Sequence, residues 1–240
     1  MAQPRELRIP VGSGAGEVSA LLQRPERARA LLVLAHGAGA GMRHPFLEAV
    51  AGRLAARGLA TLRYQFPYAE QGQRRPSPRP LLLATVRAAV AAARERAQDL
   101  PLFAGGKSMG GRMTSLAAAL APLPGVRGLL FLGFPLHPAG RPSAERGLHL
   151  PGLELPMLFL QGSRDRLADL ELLRPLCRAI GPRARLHVVE GADHSFRVLR
   201  SSGRSDAQAL EELADAAGDF AAEVLGPGAP LASGDRDPRS

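Results

Sequence analysis

The stretch from residue 101 to 120 constrains the fold of this chain more than any other. Pro101-Leu-Phe-Ala-Gly105 reads as a short buried strand, and residues 109–120 read as an alanine-rich helix. Between them, Gly106-Lys107-Ser108-Met109-Gly110 has room for one tight turn. A serine at such a strand–turn–helix junction projects its hydroxyl outward, the geometry of a nucleophile elbow. The flanking glycines have a steric reason, because a side chain at either position would collide with the neighbouring strand or helix. The bare Gly-x-Ser-x-Gly pattern is only moderately specific. Its setting in the chain must carry the rest.

That setting is an alternation of strands and helices. Residues 5–11 and 17–23, joined by Gly12-Ser-Gly-Ala-Gly16, predict an antiparallel hairpin. Leu31-Leu-Val-Leu-Ala35 is a continuous apolar run of the kind buried on both faces of a parallel sheet. Phe46, Val50 and Leu54 have helical spacing, which predicts a helix over 45–57 stopped by Gly58. Further strands are predicted over 59–63, 126–132, 156–160 and 186–189, and further helices over 81–98, 170–180 and 206–225. The class is therefore α/β: a mostly parallel eight-stranded sheet with an N-terminal hairpin and helices on both faces. One domain is expected over 1–225. Residues 226–240, rich in Gly, Pro, Ser and charge, read as a disordered tail.

Composition narrows the function classes. The 240 residues carry a net charge of +9, which invites a nucleic-acid hypothesis. The cations are spread along the chain, however, and 30 of the 31 are arginine. Aromatics are only 4%, with no tryptophan, leaving little for base stacking. A solvated basic surface is expected, with no nucleic-acid partner. Cys177 is the single cysteine, which excludes an intrachain disulfide and a cysteine-built metal site. No apolar run approaches a membrane span, and the first residues lack a secretory pattern. A cytoplasmic protein with no cofactor, no metal and no membrane partner is expected.

A serine hydroxyl needs a base to take its proton and a group to orient that base. On an elbow of this kind the chain order is serine, acid, histidine. His194, in Glu190-Gly-Ala-Asp-His194-Ser-Phe196, follows the last strand on a polar loop, at the sheet edge where catalytic groups gather. His187 lies inside that strand and reads as structural. Asp165, in Gln161-Gly-Ser-Arg-Asp165, sits on the turn after the preceding strand. Asp169 reads as a helix cap, and the side chain of Asp193, adjacent to His194, should diverge from it. An oxyanion needs two backbone N–H donors. Met109 is one, at the start of its helix. The other is expected from the small-residue loop His36-Gly-Ala-Gly-Ala-Gly41, with Ala38 first and Gly39 second. This loop matches neither common phosphate-binding pattern. Lys107, the lone lysine, either braces the elbow or meets an anionic substrate.

His36-Gly37, Gly105-Gly-Lys-Ser-Met-Gly-Gly-Arg112, Gly162-Ser-Arg-Asp165 and Asp193-His194-Ser-Phe196 together resemble an α/β-hydrolase-fold serine hydrolase. More narrowly, they are similar to a small dienelactone-hydrolase-like family. That family includes testis-expressed hydrolase-like proteins and a subunit of the non-specific-lethal histone acetyltransferase complex. Arg63-Tyr-Gln-Phe-Pro-Tyr68 and Gly133-Phe-Pro-Leu-His-Pro138 fit the same family. The resemblance spans roughly residues 17–200 and implies Ser108, Asp165 and His194 as a triad, agreeing with the residue reading. It also places the 134–149 loop over the cleft, where His137 and His149 are candidate substrate contacts. Dienelactone hydrolases use a cysteine nucleophile, whereas serine stands here. The segment over 133–155 is too short for a large cap domain, so an open cleft for small or exposed esters is expected. The alternatives are a non-catalytic interaction module on the same fold, or an acyltransferase or peptidase using the same residues.

Overall fold

The computed structural model describes residues 3–12 and 16–226. Most of the hairpin turn, and the expected tail beyond Gly226, lie outside the described residues. The strands are β1 (Arg5–Pro10), β2 (Glu17–Gln23), β3 (Ala30–Ala35), β4 (Leu59–Tyr64), β5 (Leu102–Lys107), β6 (Val126–Leu132), β7 (Met157–Gly162) and β8 (Ala184–Val189). They form one sheet in the order β1-β2-β4-β3-β5-β6-β7-β8. The first two pairings, β1 with β2 and β2 with β4, are antiparallel, and the remaining five are parallel. The helices are α1 (Pro45–Ala56), α2 (Pro67–Glu70), α3 (Arg79–Arg96), α4 (Met109–Leu120), α5 (Leu170–Ile180) and α6 (Asp206–Leu225).

The two faces of the sheet follow from strand periodicity. Every residue of β3 is buried. Leu31 and Val33 join Val86 and Val90 of α3 and Met113 of α4 on one face. Leu32 and Leu34 join Val50 and Leu54 of α1 and Leu213 and Phe220 of α6 on the other. Successive side chains alternate between faces, so a strand covered on both must be apolar throughout. Each such leucine or valine contributes about 1.5–3 kcal/mol by leaving water.

Local signals start the helices. His44 accepts from the Phe46 N–H ahead of Pro45 in the first turn of α1. Asp169 accepts from Glu171 N–H at 2.9 Å to cap α5, as its sequence position predicted. Ser205 and Gln208 form a reciprocal capping box on α6.

Several elements shift from the expected bounds by one or two residues, and three departures have a physical reason. β5 continues through Gly106 and Lys107, because both stay paired with Phe131 and Leu132 of β6, so the turn narrows to Ser108. β8 begins at Ala184, since Ala184 and Arg185 pair with β7. It is an edge strand, and its half-exposed polar residues gave no apolar run to detect. The four-residue α2 is too short to show a period.

Connectivity then positions the site. The chain goes from β3 through α1 outward to β4, then through α3 back across β3 to β5. Loops leaving β3 and β5 therefore diverge, and the crevice at a sheet's carboxyl edge opens where they do. The β6–β7 connection holds two single 3-10 turns, Glu145–Gly147 and Leu150–Gly152, and no cap domain. Among the described residues no helix is long and apolar enough to cross a membrane.

Candidate active site

Ser108 stands at the end of β5 as the residue before α4, with φ 50° and ψ −117°. A non-glycine residue at positive φ costs on the order of 1–3 kcal/mol and persists only where its surroundings impose it. Here close packing imposes it. A Cβ on Gly106 would lie 2.5 Å from the Ala35 carbonyl oxygen, and one on Gly110 would lie 2.6 Å from that of His36. Only glycine at both positions lets α4 begin this close to β3.

Around Ser108 the structure brings together the three residues singled out in the sequence. Ser108 Oγ lies 2.8 Å from His194 Nε2, and His194 Nδ1 lies 2.7 Å from Asp165 Oδ2. A neutral imidazole that donates through Nδ1–H to the carboxylate presents Nε2 as acceptor for the serine O–H. Asp165 is fully buried at its side chain and His194 is 25% exposed. The carboxylate also accepts from Leu167 N–H at 2.8 Å and from the Gln161 side-chain amide. Its orientation is thus fixed from both sides.

The His194 loop is a stiff turn. Asp193 directs its carboxylate away from the imidazole, accepting from Ser195 N–H at 2.8 Å and Arg197 N–H at 3.0 Å. Phe196 is buried at φ 60°, and its ring stacks on Phe46 of α1 with centroids 5.8 Å apart. Lys107 reaches under this loop and not into the cleft. Its Nζ is buried, over the rings of Phe46 and Phe196 at 5.9 and 5.6 Å.

The loop after β3 passes beside the serine: a Cβ on Gly37 would lie 3.7 Å from Ser108 Cβ. Met109 opens α4, where a first-turn N–H has no intrahelical acceptor. The two expected loop donors, Ala38 and Gly39, are both exposed, and the Tyr68 hydroxyl donates to Gly37 O at 3.5 Å. The loop is tied down by β4 and the residues after it. Met42 donates its N–H to Gln65 Oε1 at 2.8 Å, and the Arg63 guanidinium donates to Met42 O at 3.1 Å.

His36 clamps the base of the same loop. Its Nε2 accepts from Phe66 N–H at 3.1 Å, so its Nδ1–H donates to Gly37 O at 2.8 Å. Burial lowers its pKa to about 4. A histidine buried neutral destabilises the fold once the unfolded chain can be protonated and the folded one cannot. Stability contributed by neutral His36 is therefore complete above about pH 6.5 and falls as pH drops toward 4, by about 3 kcal/mol in all. Urea unfolding at pH 7 and pH 4 should show this loss in the wild type. The loss should be smaller by that amount in His36→Gln; equal pH dependence in the two proteins would contradict it.

The family described as Alpha/beta hydrolase domain matches residues 28–222. The chain belongs to that family. This α/β hydrolase is similar in fold to a dienelactone hydrolase from Anabaena variabilis, at TM-score 0.69 and 23% identity, covering 91% of this chain and 97% of that one. It is also similar to an alpha-beta serine hydrolase homologue from Coxiella burnetii, at TM-score 0.71 and 19% identity over 90% and 98%. Among curated proteins, a Mycobacterium tuberculosis protein named "Putative phosphoribosyl transferase" is 29% identical over 229 residues. That match takes in 93% of this chain and 48% of the relative, so the chain spans about half the length of the curated relatives it matches.

Other histidines of this α/β hydrolase are committed elsewhere. His137 accepts from Asp169 N–H at 2.9 Å and donates to Pro138 O at 2.9 Å, so both ring nitrogens serve the loop itself. His149 Nε2 lies 2.8 Å from Ser115 Oγ on α4, and burial lowers its pKa to about 4. His187 lies 2.8 Å from Glu212 on α6. A cavity of about 1010 Å³ near Arg94, Gln98, Pro101 and Gly125 opens at the amino ends of the strands, away from Ser108. Sequence reading missed the contacts of Gln161, Gly133 and the Phe46–Phe196 pair, for although Gly133 and Phe196 stand in stretches that carry the resemblance, no spacing shows what they touch.

Proposed function

We propose that this α/β hydrolase is a serine hydrolase that cleaves small or exposed esters through an acyl-enzyme. The observation that carries the reading is the unbroken hydrogen-bonded row from Ser108 Oγ through His194 to the buried Asp165 carboxylate. In this reading His194 Nε2 takes the serine proton as Oγ attacks the acyl carbon. Asp165 holds the tautomer and stabilises the imidazolium that forms. The Met109 and Ala38 N–H groups receive the oxyanion, with Gly39 the second choice from the same loop. His194 then protonates the leaving alcohol and activates the water that releases the acid.

The short β6–β7 connection supports small or exposed substrates, since it walls off no deep apolar tunnel. A Xanthomonas campestris structure similar in fold, at TM-score 0.70 and 18% identity over 92% of this chain and 96% of that one, is described as an a/b serine hydrolase without lid. The transferase name belongs to proteins about twice as long as the matched region, and the residues of this row are those of acyl transfer. The narrower kinship with the dienelactone-hydrolase-like group rests on the elbow octapeptide and the stretches after β4 and β6.

A fluorophosphonate probe tests the reading directly. It should form one stable adduct with the folded protein, and peptide mass spectrometry should map that adduct to Ser108. A folded protein that stays unlabelled would overturn the hydrolase reading and favour an interaction module.

A further inference from the structure

Lys107 is the only lysine in the chain, and its ammonium is buried without a hydrogen-bond partner among the described residues. Burying a bare ammonium is costly, so a site that keeps one needs a compensating arrangement. Part of the compensation is aromatic: the stacked rings of Phe46 and Phe196 offer their faces to Nζ. The remainder is the field of Asp165 and Asp193, which acts against the burial that lowers the lysine pKa to about 8. At neutral pH the group still carries its proton.

Its position relative to His194 is marked by a missing side chain. Gly133, at the exit of β6, has φ 69°. A Cβ there would lie 3.1 Å from Lys107 Nζ and 3.4 Å from both Cε1 and Nδ1 of His194. Ammonium and imidazole therefore both lie against the backbone of Gly133, where the positive φ favours glycine and a side chain would crowd both groups. The groups around them come from every neighbouring element. The loop after β7 gives Asp165, the loop after β8 gives Asp193 and His194, α1 gives the Phe46 ring and β6 gives the bare backbone of Gly133.

We propose that Lys107 is a positioning residue: its buried ammonium, beside Gly133, keeps the His194 imidazole neutral in the resting protein by opposing the Asp165 carboxylate. A carboxylate alone beside an imidazole favours imidazolium, and an imidazolium cannot accept the serine proton. A fixed cation close to the same imidazole cancels much of that pull. The chemistry keeps its base, and the carboxylate keeps its orienting bond. This inference rests on the proposed roles of Ser108 and His194.

The test is Lys107→Met, a substitution that keeps an unbranched chain of similar length. The acid limb of kcat/KM for an ester, and the His194 imidazole midpoint read by NMR, should both move up by about one to two pH units. That is the size expected of a unit charge about 6 Å away at an effective dielectric near 20. Above pH 8 the variant should stay within about twofold of wild type, whereas a merely structural role would lower activity at every pH. Unmoved midpoints, or a uniform loss, would overturn the proposal.

The wild type gives a second measurement should the variant not fold. Lysine-selective ¹⁵N labelling yields one side-chain signal from the only lysine. That signal should titrate near pH 8, with a matching inflection at His194, because coupling between two sites is reciprocal. A lysine titration that leaves no inflection at His194 would also overturn the proposal. The NMR readouts need no activity, so they separate failure of this inference from failure of the hydrolase reading.

Discussion

Ser108→Ala is expected to abolish fluorophosphonate labelling and to lower kcat/KM for a cleaved ester by on the order of 10⁴- to 10⁶-fold. The substitution removes the one oxygen that can bond to the acyl carbon, while the helix start at Met109 and the loop after β3 remain. Residual turnover would then reflect water attacking a substrate still held against the backbone donors. The protein should stay folded, because the Ser108 hydroxyl bonds to His194 and to no backbone group. Alanine keeps a Cβ at the same positive φ, so the backbone strain is unchanged. A labelled or fully active Ser108→Ala protein of unchanged melting temperature would remove serine from the mechanism.

Gly105→Ala should have the largest effect on stability. Gly105 lies inside β5, where glycine ordinarily weakens a strand. A Cβ there would come within 1.8 Å of the Leu130 carbonyl oxygen of β6 and 2.8 Å of its carbonyl carbon. No rotamer relieves that overlap, because both partners are backbone. The pair β5–β6 would have to separate at the centre of the sheet, one residue before Gly106. A cost of more than about 3 kcal/mol is expected, against a total stability of about 5–15 kcal/mol for a domain. Urea denaturation should show a much lower midpoint or an insoluble protein. An unchanged midpoint would mean the two strands are less tightly apposed than described.

The parts of this molecule readable from its sequence are those where one physical requirement acts on adjacent residues. The elbow is such a case, since steric exclusion at Gly106 and Gly110 and the strand–helix change fall within five residues. β3 is another, because burial on both faces forces six apolar residues in a row. Asp169 as a cap was readable for the same reason: its partner, Glu171, is two residues away. Distances between remote segments were not readable. Nothing in the composition of Gly133 or Phe46 announces that they meet Lys107 and His194, because that meeting depends on sheet order and not on spacing. The order of Ser108, Asp165 and His194 along the chain was legible, whereas the extra grip of Gln161 and Leu167 on Asp165 needed coordinates.

The imidazole rides on a loop leaving β8, the last strand of the sheet, which has a neighbour on one side only. Ser108 leaves β5, which is flanked on both sides. Fraying begins at margins, where fewest bonds hold the chain. On the roles proposed for His194 and Ser108, heat is therefore expected to loosen the rim first, so that activity fades before the bulk of the molecule melts.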